Sequence, residues 1–412
     1  MLLISFHAQE ENMANVVMIG AGPVGLWTAL QIKKRNPDWD IVIYERHEQY
    51  QRSHILRLDH WSLLLYGRNT KDEREHQFYN EITGKQLSQI MTSVADSVYI
   101  RTNDLEAALK SYAKDKGIRI EHLQVSTPEQ VMQAHPECTM FIAADGAHSK
   151  MRAMLLGEKA LDEYVLQSIV EVKYKVKGMA IKSNLLNANQ NTNHMVFEYV
   201  GREKEGFSPV TLRFFLDENT YKMLPEASFK NPLNIDSPTL PASLREDIQK
   251  YIGIRNQAGD GSFCYDSGYL TKLNLSLYCA RKFAIEVNGK AWFLVGDAAL
   301  GVPYFRALNS GLILGSRLAQ IVTSNDWPVG SGIKGKMAFY NFHRPLHITT
   351  EFTIARGKDM ALKGFNMFRK LKLPVMLNFP FLTKKNLTDN EILEHYNKGI
   401  DYSCHKENEE AE

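Results

Sequence analysis

The sequence predicts an α/β protein in which a doubly wound parallel sheet is interleaved with an antiparallel β-sheet region and followed by C-terminal helices. Three observations predict it. Near the start, an apolar run passes into a glycine-rich turn and then a helix-forming segment, Val16-Val17-Met18-Ile19-Gly20-Ala21-Gly22-Pro23-Val24-Gly25-Leu26. Two later apolar runs, ending at Ala144-Asp145-Gly146 and at Gly296-Asp297, stop in acidic glycine turns. Between them the chain alternates apolar and polar residues, as in Ile169–Val176, Met195–Val200 and Thr211–Leu216, which is the signature of antiparallel strands with one face solvated.

Bulk numbers narrow the class. At 412 residues the chain can bury a large core and divide into two domains. Its 44% hydrophobic and 23% charged residues are those of an ordinary soluble protein, and a net charge of +2 gives no overall drive toward nucleic acid. Cys138, Cys264, Cys279 and Cys404 are far apart with no C-x-x-C pair. That argues against a zinc site and a disulfide scaffold, and points to a reducing, cytoplasmic compartment. Met1–Phe6 is too short for a signal-peptide core, no run reaches the length of a spanning helix, and Glu407–Glu412 reads as a solvated tail.

In order, Val16–Ile19 reads as a buried strand and the helix after it as beginning around Leu26. The intervening Gly-x-Gly-x-x-Gly fits a dinucleotide-binding turn: Gly20 permits the tight turn, Gly22 admits a pyrophosphate to the backbone, and Gly25 lets helix and strand pack closely. Free N–H groups and the helix dipole then favour phosphate. Ile41–Tyr44 is the next strand, ending in Glu45, twenty residues past Gly25. An acid there accepts from a ribose 2′-hydroxyl and repels a 2′-phosphate, which argues against NADP in this site. Arg46 and Arg52 follow, where cations can neutralise a pyrophosphate.

Residues 71–93 are polar with little periodicity, and Val98–Ile100 is a strand. Arg101 follows it, within reach of an anionic ligand. Asp104 reads as the cap of a helix whose apolar face is Leu105, Ala108, Leu109 and Tyr112. Ile118–Ile120 resembles a further strand, and Ser149 reads as a cap at the strand–turn–helix junction after Ala143. The Pro- and Ser-rich segment 231–241 reads as a linker, 244–252 as helix and 273–287 as strands. Asp297, at the end of a buried strand, is placed to accept from a second ribose, and a helix opens at Asn309 and continues in helical pattern to Phe368.

These three stretches, in this order, resemble the flavoprotein monooxygenases of the para-hydroxybenzoate hydroxylase fold. The resemblance rests on the first glycine fingerprint, on Ala144-Asp145-Gly146-Ala147-His148-Ser149-Lys150-Met151-Arg152, and on Gly296-Asp297-Ala298-Ala299, and it covers about residues 14–350. It implies an FAD-binding Rossmann-like (GR2-type) domain interleaved with an antiparallel β-sheet substrate domain. The implied divisions are 14–160 for the first part of the FAD domain, 161–270 for the sheet domain, 271–345 for the return, and 346–412 for C-terminal helices and tail. The run Glu45-Arg46-His47, followed by Arg52-Ser53-His54, is similar to the MICAL monooxygenases. By that likeness Val24, Glu45, Arg46, His47, Arg52 and His54 would line FAD, and Arg101 would lie near its diphosphate. Asp145 and Asp297 belong to the two later motifs, with Asp297 on the ribityl chain, and Pro303 would set the flavin face.

There are departures. Where the family reads Pro-x-x-Gly-x-Gly-x-Asn, this chain has Pro303-Tyr304-Phe305-Arg306-Ala307-Leu308-Asn309, without either glycine and one residue shorter. Arg306 is a candidate to replace the glycine amides as a cation near the flavin's anionic end. His54, Arg57 and Tyr304 are candidates for the substrate side.

The resemblance implies NAD(P)H- and O2-dependent hydroxylation through a C4a-hydroperoxyflavin, with FAD resident, NADPH or NADH a transient reductant, no metal and no nucleic acid. The substrate would be a small molecule, aromatic compounds among the candidates, or a protein. Two other activities stay open: MICAL-like oxidation of protein methionine or H2O2 production, and flavin binding with little turnover. Segment 370–385, apolar between lysine pairs, packs back on the body or touches a membrane surface or partner.

Overall fold

The computed structural model describes residues 13–48, 55–59, 62–63, 72–83, 97–157, 159–180, 192–200, 203, 205–228, 231–257, 260–264, 267–303, 306–326, 330 and 332–370. Arg52, His54, Tyr304, the opening Met1–Phe6, segment 371–385 and the acidic tail lie outside them.

In chain order the elements are β1 (Val16–Ile19), α1 (Pro23–Arg35), β2 (Ile41–Glu45), β3 (Ile55–Asp59), α2 (Glu73–Thr83), β4 (Ser97–Arg101), α3 (Thr102–Asp115), β5 (Arg119–His122), α4 (Pro128–Ala134), β6 (Met140–Ala143) and α5 (Lys150–Leu156). Then come β7 (Leu161–Lys177), β8 (Met195–Val200), β9 (Phe207–Leu216), α6 (Glu218–Met223), β10 (Leu233–Asn234), α7 (Ala242–Gln257), β11 (Ser262–Phe263) and β12 (Tyr269–Ala280). The last are β13 (Ala284–Val287), β14 (Lys290–Leu294), a 3-10 turn (Gly296–Ala298), β15 (Leu300–Gly301), α8 (Ala307–Thr323) and α9 (Ile333–Lys370).

The chain forms two compact units. The first holds the described residues within Met1–Glu163 and Leu277–Phe352. Its sheet has the order β13-β14-β6-β1-β2-β5, parallel except for β13 at one edge. Val16, Val17, Met18, Ile41, Val42, Ile43, Phe141, Ile142, Trp292 and Phe293 are all at 0% exposure. Such unbroken apolar runs belong to strands covered on both faces.

The second unit holds Tyr164–Ser276 and the described residues from Thr353. Its antiparallel strands run in the order β10-β12-β7-β9-β8, with β11 on β7. Every second residue, Val170, Val172, Tyr174 and Val176 on β7 and Val210, Leu212 and Phe214 on β9, enters one core with Leu244, Ile248 and Tyr251 of α7. On the other face of β7, Glu171 pairs with Arg213 and Lys175 is exposed.

Several sequence expectations need correction. α1 begins at Pro23 rather than near Leu26, because the fixed φ of proline suits the first helical position. The aperiodic stretch 71–93 contains α2, which buries Phe78, Tyr79 and Ile82, and its Glu75 accepts from Lys34 Nζ at 2.6 Å. β3, unmarked in the sequence, pairs antiparallel with β4. α3 starts at Thr102 directly off β4, so Asp104 lies inside its first turn instead of capping it. Segment 231–241 is no free linker: β10 pairs with β12, and Ile235 and Leu240 are buried. The helical run to Phe368 divides into α8 and α9, and α9 carries Pro345 inside it.

Among the described residues no helix is long and apolar enough to cross a membrane, and Cys138, Cys264 and Cys279 are free thiols.

Candidate functional site

In the first unit the parallel register sets the carboxyl ends of β14, β6, β1 and β2 side by side. The three motif stretches leave the sheet there, at the edge where open α/β sheets bind ligands.

The glycine turn is shaped by close approach. Gly20 has φ +105°, and a Cβ on it would lie 2.4 Å from the Ala144 carbonyl oxygen. A Cβ on Gly25 would lie 2.2 Å from the Gly20 carbonyl oxygen, so only glycine lets α1 sit this tightly on the turn. Gly22 is the N-cap of α1. No side chain caps that helix, and its first turn holds no acidic residue. Three other helices are capped by side chains: Thr127, Ser149 and Asp217 accept from the first-turn amides of α4, α5 and α6. The positive end of α1 thus has no side-chain cap and no acid of its own first turn to offset it.

At the end of β2, Glu45 Oε2 accepts from the Ala21 N–H at 2.8 Å and Oε1 from the His47 N–H at 2.9 Å. The carboxylate thus joins the second strand to the glycine turn, with Arg46 and His47 exposed beside it. A cavity of about 550 Å³ lies along α3, lined by Glu48, Asn103, Glu106 and Lys110 among others. Asn103 Oδ1 is buried there with no hydrogen-bond partner among the described residues. Burial, partly offset by Lys110, holds the Glu106 carboxyl above its ordinary value, and the Glu45 carboxylate adds to the effect. No motif in the sequence marks Asn103 or Glu106.

The middle motif braces the late one. Both Asp145 oxygens are engaged at α5, accepting from Ser149 Oγ at 2.5 Å and the Met151 N–H at 3.1 Å. Buried Arg152 then reaches across: Nη1 donates to the carbonyls of Asp297 and Ala298, each at 3.1 Å, and Nη2 to that of Ala147 at 2.9 Å. Tyr278 Oη donates to the Asp297 carbonyl at 3.2 Å. Arg152 is thereby the clamp on the Gly-Asp turn, a role that its place in the middle motif does not disclose.

Gly296 has φ +62°, and a Cβ on it would meet Val24 Cγ1 at 2.9 Å. On α8, a Cβ on Gly315 would meet Thr28 Oγ1 at 2.3 Å, and Trp27 Nε1 donates to Ser316 Oγ at 2.8 Å. α1 and α8 therefore meet along small residues, and the start of α8 is drawn onto the glycine turn. α8 opens two residues earlier than Asn309. Its N-cap, Arg306, makes no capping hydrogen bond, and its first turn is free of acidic residues. Asn309 Oδ1 accepts from the Asp59 N–H and from Ser62 Oγ, both at 2.9 Å, tying the helix to the end of β3. Pro303 is buried in the preceding turn.

Arg306 forms a two-pronged pair with Glu351 of α9, Nε to Oε2 at 2.8 Å and Nη2 to Oε1 at 2.9 Å. In the β3–β4 ladder Arg57 stands opposite Tyr99 and Arg101 opposite Ile55; their side chains are outside the described residues. The fold thus gathers Gly20, Gly22, Val24, Gly25, Glu45, Asp145, Asp297, Arg306 and Asn309 along one edge of one sheet.

No family model and no curated protein matches the sequence. Solved structures match in fold. The anhydrotetracycline hydroxylase OxyS from Streptomyces rimosus aligns with a TM-score of 0.51 at 16% identity, covering 87% of this chain and 72% of that one. The tetracycline destructase Tet(51) aligns at 0.51 and 11% identity, covering 91% and 100%. The Diels-Alderase PyrE3 of pyrroindomycin biosynthesis aligns at 0.52 and 14% identity, covering 87% and 77%. At these identities the likeness establishes architecture, which by itself does not fix chemistry.

Proposed function

We propose that the chain is an FAD-dependent monooxygenase that takes electrons from NADPH or NADH and uses O2 to hydroxylate a small organic molecule. The observation that carries this reading is the convergence of two helix starts without side-chain caps, those of α1 and α8, on the sheet edge that also holds Glu45 and the Gly-Asp turn. One extended ligand with a diphosphate, a ribose and a second polar end fits that edge, and FAD has those parts in that order.

In this reading the first-turn amides of α1 hold the diphosphate and Glu45 takes the adenosine ribose. The turn clamped by Arg152 presents Asp297 to the sugar alcohol, and the start of α8 faces the ring system. FAD supplies, when bound, hydride acceptance from the nicotinamide and activation of O2; the protein binds, orients and shields it from water. The hydroxylase and destructase among the structural neighbours support a polycyclic or aromatic substrate. The test is NAD(P)H oxidation by the FAD-loaded protein across a panel of such compounds, with one labelled oxygen from ¹⁸O2 expected in the product.

A second reading has one specific support: a Diels-Alderase shares the fold, so this architecture also serves a reaction that is not an oxygenation. In that case FAD binds, yet NAD(P)H leaves it oxidised with every compound tried.

A further inference from the structure

α8 and α9 are joined near the start of α8 by two rungs. Arg306 pairs with Glu351 through two hydrogen bonds, at 2.8 and 2.9 Å, and Ser310 Oγ meets His347 Nε2 at 3.0 Å. Arg306 and Ser310 are four residues apart, as are His347 and Glu351, so the two rungs lie about one helical turn apart on both helices. The rungs differ in charge. Burial lowers the His347 pKa, and Arg306 and Arg317 push the same way against Glu351, which leaves a neutral imidazole at neutral pH. Arg306 stays cationic, its pKa raised first by the hydrogen bonds to Glu351 and further by the charges of Glu351 and Asp59.

The charged rung is also polarised. The Arg306 side chain is 24% exposed and that of Glu351 3%. Nη1 takes no part in the pair. A carboxylate sunk in the protein thus holds a guanidinium whose Nη1 is left out of the pair, at the end of a helix whose dipole is positive there and whose own first turn holds no acidic residue. Such an arrangement stabilises negative charge that arises next to it.

We propose that Arg306 is the residue that stabilises the negative charge of a reduced flavin ring, and that Glu351 is its positioning residue, turning the cation toward the start of α8. This rests on the FAD reading above. It assigns the job of the two absent glycine amides to one clamped side chain, and it gives α9 a part in tuning the cofactor.

The experiment is the midpoint potential of bound FAD, measured by dye equilibration, with the FAD dissociation constant measured alongside. Arg306→Met alone would strand a buried carboxylate, so Glu351→Gln and the uncharged pair Arg306→Gln/Glu351→Gln are compared, with Arg306→Lys as the charge-conserving control. Glu351→Gln, which keeps the cation and removes its counter-charge, should raise the potential. The uncharged pair should lower it by about 30 mV, equivalent to about a tenfold loss of preference for reduced over oxidised flavin. Arg306→Lys should stay near the parent.

Electrostatics requires opposite directions from the two variants, whereas a purely structural disturbance moves both the same way. Shifts in the same direction, or none, overturn the proposal while FAD binding still stands. Failure of the unmodified protein to bind FAD overturns the cofactor reading, and this proposal with it.

Discussion

Gly311 of α8 faces Val24 of α1 so closely that a Cβ on Gly311 would come within 2.7 Å of Val24 Cγ2. Gly296 presses on the same valine from the Gly-Asp turn. Val24 is thus the point where the first and last motifs are held together, and both glycines are needed for shape. Gly311→Ala should cost about 1–3 kcal/mol by overpacking. Trimming the valine in Gly311→Ala/Val24→Ala should recover part of the loss. Chemical denaturation of Gly311→Ala, Val24→Ala and the double variant checks this; additive losses would show that the two residues do not share the contact.

Glu45 accepts two backbone N–H groups, from Ala21 and His47. Gln offers one acceptor oxygen in place of two, and no charge to attract a ribose hydroxyl. Glu45→Gln should therefore weaken FAD binding by about tenfold, or about 1.4 kcal/mol. Fluorescence titration with FAD measures it. An unchanged dissociation constant would mean that Glu45 serves the turn alone.

Arg152 satisfies the carbonyls of Ala147, Asp297 and Ala298 at once. Replacing it with Met leaves these groups without their donors, at a cost of about 1–3 kcal/mol for each acceptor left unsatisfied in the interior. Arg152→Lys should rescue little, because an ammonium cannot reproduce the planar fork. Thermal unfolding of both variants is the measurement, and a Lys variant as stable as the parent would refute the clamp.

Glu106 gives a pH dependence. Its folded-state pKa is raised, chiefly by burial, so the folded protein binds this proton more tightly than the unfolded chain does. The stabilising contribution is complete below the unfolded carboxyl value and is lost as pH rises through the folded one. Glu106→Gln should therefore raise the melting temperature at pH 7 and gain nothing near about pH 4. Equal gains at both pH values would contradict this.

Much of the site was legible because it is written in backbone geometry. Gly20 and Gly25 are forced by contacts below 2.5 Å, and only glycine meets that requirement, so their spacing survives in sequence. The buried strands were legible for a similar reason, since a sheet covered on both faces admits few residue types. What escaped depends on partners distant in the chain. α2 owes its place to burial of Phe78 and Ile82 rather than to periodicity, and segment 231–241 is fixed by Ile235 and Leu240 entering a core that no local pattern marks. Arg152 and Glu351 look like any charged helix residues until the fold carries them to Asp297 and Arg306. Arg52 and His54, which carry the likeness to MICAL, lie outside the described residues.

The most direct test is titration of the purified protein, stripped of any bound flavin, with FAD. Binding of one FAD per chain with a dissociation constant of about 1 μM or tighter, quenched flavin fluorescence and bleaching of the yellow colour by NADPH or NADH are the results expected. A protein that leaves FAD fluorescence unchanged in excess cofactor would contradict the account at its base.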